Sequence, residues 1–230
     1  MKFTYLLLNL FTLLPVLVFS FDKKLCFFEK WKSSFPGILG IGLFFAIWDY
    51  FFTYNKVWSF NPAYVMDFRI FLMPLEEYFF FLFTPFACLF IYEAIGVYVK
   101  SKKLSHISKP LALFFAVLAM GIAISNTEKT YTFVNFSLCS LILIAAFCYL
   151  DEKILGQFWL AFTIHLIPFW VVNGVLTSWP VLTYDNSENL EIRIGSIPLE
   201  DHAYSLILFL SNLWAYEWFK SKFRKNGLES

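Results

Sequence analysis

Apolar residues gather along this chain into seven stretches, near 3–21, 35–54, 76–99, 109–125, 131–150, 156–176 and 202–220, with short polar segments between them. Each approaches the roughly 20 residues that a helix rising 1.5 Å per residue needs to cross a hydrocarbon layer about 30 Å thick. The pattern predicts an all-α integral membrane protein of about seven transmembrane helices. The first stretch also fits a signal peptide, because Lys2 precedes it and Val18-x-Ser20 is a tolerable cleavage site.

Composition agrees with a bilayer as the solvent. Of 230 residues, 59% are hydrophobic and 15% charged, against about 25% charged in a soluble domain. The 31 Phe, 8 Trp and 12 Tyr exceed what one water-soluble core of this length could bury. A net charge of +1 argues against a nucleic-acid partner, which calls for a basic patch. Cys26, Cys88, Cys139 and Cys148 show no C-x-x-C spacing and read as buried thiols, with no metal site among them.

Charge sets orientation. The first, third and fifth loops and the tail hold 13 of the 18 Lys and Arg, so positive-inside counting puts the amino terminus outside and the carboxyl terminus in the cytoplasm of a multi-pass cell-membrane protein. The long loops near 55–73 and 177–197 then lie outside.

The chain repeats itself at an offset of 124 residues. Arg69-Ile70-Phe71-Leu72-Met73-Pro74-Leu75-Glu76-Glu77 overlays Arg193-Ile194-Gly195-Ser196-Ile197-Pro198-Leu199-Glu200-Asp201; Tyr92-Glu93 overlays Tyr216-Glu217, and Asp49 overlays Asn173. The matches fall on charged residues and prolines, where chance similarity between apolar segments does not reach. Spans 1, 2 and 3 pair with 5, 6 and 7, and span 4 is left as a connector. Three-span units fused directly would be inverted, so the extra crossing restores their direction. The expected organisation is residues 1–100 as a first three-span unit, 101–130 as the connector span and 131–230 as a second unit. The two units would run parallel, about a pseudo-two-fold along the membrane normal. Span 5 has a counterpart only if span 1 is retained, which argues against cleavage.

Pro74 and Pro198 suit the first turn of a helix, which puts Glu76, Glu77, Glu200 and Asp201 at helix N-termini, where the macrodipole favours acids. Capping alone explains one acid, and each repeat has two. Arg69 and Arg193 stand seven residues ahead, placed to hold one carboxylate ionised while its neighbour stays protonated. Asp49 and Asn173 come late in their spans, near the same depth, so six polar groups are expected to converge between the units. Ionisable groups inside a span are expensive and by default mark function. Glu93 and Glu217, with Lys100 and Lys220 nearby, read as interfacial anchors, and His165 and His202 as helix-packing groups.

Several chemistries do not fit. No G-x-G-x-x-G follows a strand, three His are too few for a membrane di-iron site, and no nucleophile elbow is present. A pair of D-x-x-x-D motifs is lacking, and Asp185 to Glu188 is a lone solvated D-x-x-E. Acid–base chemistry in an aromatic-walled apolar site remains, with neither metal nor redox cofactor. Such a site suits alkene protonation: a neutral carboxylic acid gives a proton to a double bond, and a carboxylate and aromatic faces hold the cation.

Pro74-Leu75-Glu76-Glu77 and Pro198-Leu199-Glu200-Asp201, each opening a span, with Arg69 and Arg193 ahead and the first loop Phe21-Asp22-Lys23-Lys24, resemble the small membrane-embedded lycopene cyclases. In some bacteria these are two short subunits; in others both repeats are fused, as here. The resemblance implies acid–base cyclisation of the ψ end groups of lycopene, or a related acyclic carotenoid, to β-rings, through γ-carotene to β-carotene without net redox change. It implies Glu76, Glu77, Glu200 and Asp201 as catalytic carboxylates, with other carotenoid enzymes as further partners. Asp201 is one methylene shorter than Glu77, so the two pairs are expected to differ in role. A small proton-coupled transporter, or a non-catalytic subunit of a carotenoid enzyme complex, shares part of the pattern.

Overall fold

A computed structural model describes residues 2–99 and 104–225. Seven α-helices dominate them: α1 (Thr4–Phe19), α2 (Trp31–Tyr54), α3 (Leu75–Tyr98), α4 (Ser105–Ile124), α5 (Thr130–Tyr149), α6 (Glu152–Ser178) and α7 (Leu199–Lys225). Each apolar stretch became one helix. Five segments, Phe27–Tyr54, Leu75–Tyr98, Ser105–Ile124, Thr130–Tyr149 and Glu152–Ser178, are long and apolar enough to cross a membrane, and the chain is an all-α membrane protein. The ends differ from expectation by a few residues. α1 is shorter than its stretch, and α7 starts three residues earlier, at its acids, and runs on through Lys222 and Arg224. The expected unit boundary at 100/101 and Lys100 lie outside the described residues.

The helices pack as an interleaved bundle. α1 lies against α3 and α5 against α7, while α2 packs on α7 as well as on α3, and α3 also meets α6. Close approach depends on small residues, as membrane helix interfaces usually do. A Cβ on Gly37 of α2 would sit 2.9 Å from the Cβ of Ala215 on α7. α4 presents buried Ala112, Ala116, Ala119 and Ala123 at helical spacing and packs on α5 and α6. The indole of Trp159 donates to Ser108 O at 3.1 Å across that seam. Prolines inside α1, α2, α3, α4 and α6 are tolerated where neighbouring groups satisfy the freed carbonyls.

The two long loops are not irregular. β1 (Trp58–Phe60) pairs antiparallel with β4 (Leu182–Tyr184), while β2 (Arg69–Ile70) with β3 (Met73–Pro74) and β5 (Arg193–Ile194) with β6 (Ile197–Pro198) form two tight hairpins. The ribbon brings both loops to one end of the bundle, as the loop assignment requires. Ser59 stands opposite Thr183, 124 residues later, and the flanking bonds repeat the symmetry: Asn61 N to Val181 O at 3.0 Å and Asp185 N to Val57 O at 2.9 Å. At the hairpin turns Gly195 takes φ 65, and Phe71, its counterpart, takes φ 54 in spite of its Cβ. Pro74 and Pro198 close these hairpins in extended conformation just ahead of α3 and α7; they precede the first turn instead of occupying it.

Candidate active site

Adjacent residues on a helix point about 100° apart, and that rotation splits each acidic pair. Glu76 and Glu200 turn away from the bundle centre and are fully buried. Oε1 of Glu76 accepts the backbone N–H of Met66 at 2.7 Å, and Oε1 of Glu200 accepts Leu190 N–H at 2.8 Å and the Thr132 hydroxyl at 2.6 Å. The second oxygen of each has no hydrogen-bond partner among the described residues. These two acids clamp the loops onto the helix starts. Their backbone carbonyls are gripped as well, by Asn9 Nδ2 at 2.9 Å and Asn135 Nδ2 at 2.6 Å.

Glu77 and Asp201 face inward, each 5% exposed, and meet Asp49, 3% exposed, at the end of a shared cavity of about 880 Å³ with the open space at its mouth included. Each is held by phenols. Tyr5 donates to Glu77 at 2.8 Å, Tyr204 to Asp49 at 2.8 Å, and Tyr131 and Tyr184 to Asp201 at 2.7 Å each. Asp49 and Glu77 line the same end of the cavity as neighbouring carboxyls. Tyr184 lies on β4, outside the helices, where burial first and the charge of Asp201 second push its phenol well above the ordinary range and keep it a donor.

Aromatic faces complete this end. Trp58 of the ribbon stands edge-on to Tyr131 at 5.2 Å and to Tyr204 at 6.3 Å, while Tyr131 and Tyr184 stack at 5.9 Å. The alternation of the ribbon explains the roof: Trp58 and Tyr184 point in, Ser59 and Thr183 point out. From the carboxyls the cavity descends between α1, α3 and α6, past Thr12, Thr84, Ala87, Ile91, Pro168 and Val172. Pro168 is exposed and the other five partly so, which leaves that side open. Glu77 to Ile91 is 14 residues, about 21 Å of helix.

The six expected polar groups therefore do not all converge. Glu77, Asp201, Asp49 and Asn173 line the cavity; Glu76 and Glu200 do not. The two arginines lie outside the cavity lining, and Arg193 stands over the ring of Tyr184 at 5.8 Å. Arg69 donates to Leu72 O at 2.9 Å and Arg193 to Ser196 O at 3.0 Å and Asn186 Oδ1 at 2.9 Å, so both brace their own exposed hairpins, and neither is in direct ion-pair contact with a carboxylate among the described residues. A two-residue turn brings the guanidinium back over itself, which spacing alone does not reveal. Glu93 does meet Lys220, as expected: it is buried, bonded by Tyr216 at 2.6 Å and Lys220 at 2.7 Å, and ties α3 to α7. His202 turns to Trp170 and Pro198, whereas His165 lines the cavity wall with Nε2 at 2.8 Å from Ser205 and Nδ1 at 3.6 Å from Cys88.

The tyrosines were the group missed from sequence. Their signal exists: Thr4-Tyr5-x-x-x-Asn9 recurs as Thr130-Tyr131-x-x-x-Asn135, but at an offset of 126, two residues out of register with the acids.

Fold and site together define a class: a helical membrane protein with three carboxyls at the blind end of an elongated, aromatic-walled cavity. A family model described as lycopene cyclase matches residues 2–95 and 128–219. The chain belongs to the lycopene cyclase family, with both repeats in one polypeptide, and it is a carotenoid-cyclising enzyme of the membrane. The unmatched stretch between the two segments contains α4. No curated protein and no solved structure gave a match.

Proposed function

We propose that the protein cyclises the ψ end groups of lycopene to β-rings, one end at a time, giving γ-carotene and then β-carotene as an isomerisation that consumes no cofactor. The observation that carries this reading is the meeting of Asp49, Glu77 and Asp201 at the closed end of a cavity lined by no lysine or arginine among the described residues. Buried carboxyls can deliver and remove protons, and the faces of Trp58, Tyr131, Tyr184 and Tyr204 favour a cation between those steps. The long apolar limb between α1, α3 and α6 suits the polyene tail, with its end group at the carboxyls and its remainder passing to lipid. Glu76 and Glu200 act as loop clamps, and Asn173 supports the wall opposite Asp49.

In the same reading, residues 1–100 and 131–230 are parallel three-helix units about an axis through Ser59 and Thr183, and 101–130 is the connector. All seven helices cross the bilayer, with the amino terminus and the cavity's blind end outside and the carboxyl terminus in the cytoplasm. The recurrence of the tyrosine, asparagine and loop-clamp bonds in both halves supports that arrangement. Expression in cells that accumulate lycopene tests the function. Monocyclic and bicyclic products are expected, and unchanged lycopene despite good membrane expression would overturn it.

A further inference from the structure

The two halves of the site differ in their phenols as well as in Asp49 against Asn173 and Glu77 against Asp201. Tyr184 and Tyr204 stand 124 residues after Phe60 and Phe80, so the second half carries phenols where the first has phenyl rings. They go to different acids. Tyr184 joins Tyr131 on Asp201, and each oxygen of that carboxyl accepts one hydroxyl, Oδ1 from Tyr131 and Oδ2 from Tyr184. Tyr204 crosses to the first half and donates to Asp49. Glu77 accepts from Tyr5 and has Asp49 as its neighbour in the cavity lining.

These inventories differ in proton content. A hydrogen bond between two carboxyl groups needs a proton on one of them, and two ionised carboxylates in contact repel. Asp49 and Glu77, buried side by side at the end of the cavity, are thus suited to share one transferable proton. Asp201 has both oxygens supplied with protons by neutral phenols, the environment that suits an anion. With no lysine or arginine lining the cavity among the described residues, the positive charge that Asp201 is placed to balance is one that forms on the substrate.

We propose that the halves have divided the reaction: the Asp49/Glu77 carboxyl pair delivers the proton that starts cyclisation, and Asp201, positioned by Tyr131 and Tyr184, takes up the proton that ends it. This rests on the cyclase reading above. The proton adds to C2 of the terminal C1=C2 bond, the π electrons of C5=C6 close the C1–C6 bond, and the charge passes to C5. Asp201 then removes the proton from C6, and the electrons of that C–H bond become the C5=C6 double bond of the ring. One proton enters, one leaves, and no electrons are gained or lost. Return of one proton from Asp201 to the pair resets the site.

Membranes bearing the full chain, supplied with lycopene in D2O, test the division by chromatography and mass spectrometry of products and recovered substrate. The parent places one deuterium in each ring. Asp201→Asn should lose about 10²-fold or more in ring formation, within the usual range for a general acid or base. Its recovered lycopene should nevertheless carry deuterium, because protonation continues and reverses, and any residual rings should place their double bond away from C5=C6. Asp49→Asn and Glu77→Gln should return deuterium-free lycopene, with trace product of the parental ring type. Tyr184→Phe keeps all three carboxyls and should move ring type in the same direction as Asp201→Asn, more weakly. Deuterium in lycopene recovered from the pair variants, or deuterium-free lycopene with an unchanged ring from Asp201→Asn, would overturn the division. A misfolded Asp201→Asn leaves the decision to Tyr184→Phe, where an unaltered ring ratio counts against it. A parent that forms no ring at all would instead remove the cyclase reading, and this inference with it.

Discussion

Glu76 and Glu77 are neighbours in sequence, yet their isosteric amides should behave differently. In Glu77→Gln the carboxyl that faces the cavity beside Asp49 is replaced by an amide with no acidic proton to deliver. A general acid contributes about 10²–10⁴-fold to rate, and that is the expected loss in turnover. In Glu76→Gln the side-chain carbonyl can still accept Met66 N–H, while the new NH2 falls where Oε2 had no partner. A buried, unpaired donor costs about 1–3 kcal/mol, which for a chain of this size lowers the melting temperature by about 2–12 °C. Turnover per folded molecule should stay within about an order of magnitude of the parent, because no transition-state contact is removed. The assay is ring formation from lycopene in reconstituted membranes, normalised to folded protein, beside a thermal melt in detergent. A folded Glu76→Gln as inactive as Glu77→Gln would refute the separation of roles, and so would a fully active Glu77→Gln.

Three further outcomes are expected. A Cβ on Gly156 would meet backbone atoms of Ser105 at 2.8 and 2.9 Å, so Gly156→Ala should cost about 1–3 kcal/mol by overpacking in a thermal melt, while Gly121→Ala, which meets nothing within 4 Å, should be neutral or better. Ala87→Phe obstructs the open limb of the cavity; it should raise KM for lycopene more than it lowers kcat, and an unchanged KM would place the polyene elsewhere. Lys220→Met leaves Glu93 buried with Tyr216 but without its cation; discounted for the partial exposure of the pair, the loss should be about 1–3 kcal/mol, restored in large part by a second change, Glu93→Gln.

The spans were legible because an apolar run of about 20 residues has few alternatives in a chain this poor in charge, and the acids because they recur with their prolines. What sequence hid has physical reasons. Strands of three residues, Trp58–Phe60 and Leu182–Tyr184, are too short to show alternation, and the partner of each lies in the other half. Tyr5, Tyr131, Tyr184 and Tyr204 are four of 12 tyrosines in an aromatic background, and the two-residue shift between the tyrosine and acid repeats broke the single offset that exposed the carboxylates. The division of Glu76 from Glu77 follows from helical geometry, since positions i and i+1 never share a face. The arginines show the opposite hazard: a fixed spacing to an acid says nothing when a hairpin lies between.

The ribbon at the roof of the cavity pairs about its own middle, with Trp58 opposite Tyr184, Ser59 opposite Thr183 and Phe60 opposite Leu182. A strand in that register bonds equally well to a copy of itself, because Ser59 faces its own counterpart and Trp58 and Phe60 each face the counterpart of the other. Two identical half-length chains could therefore have closed the same roof, and a gene duplicated and joined through one added helix would inherit a working seam without altering a backbone bond. The seam leaves side chains free to diverge while it keeps the halves in step. Halves cut apart between the matched segments and produced together should still find each other in register, with neither able to close the roof alone.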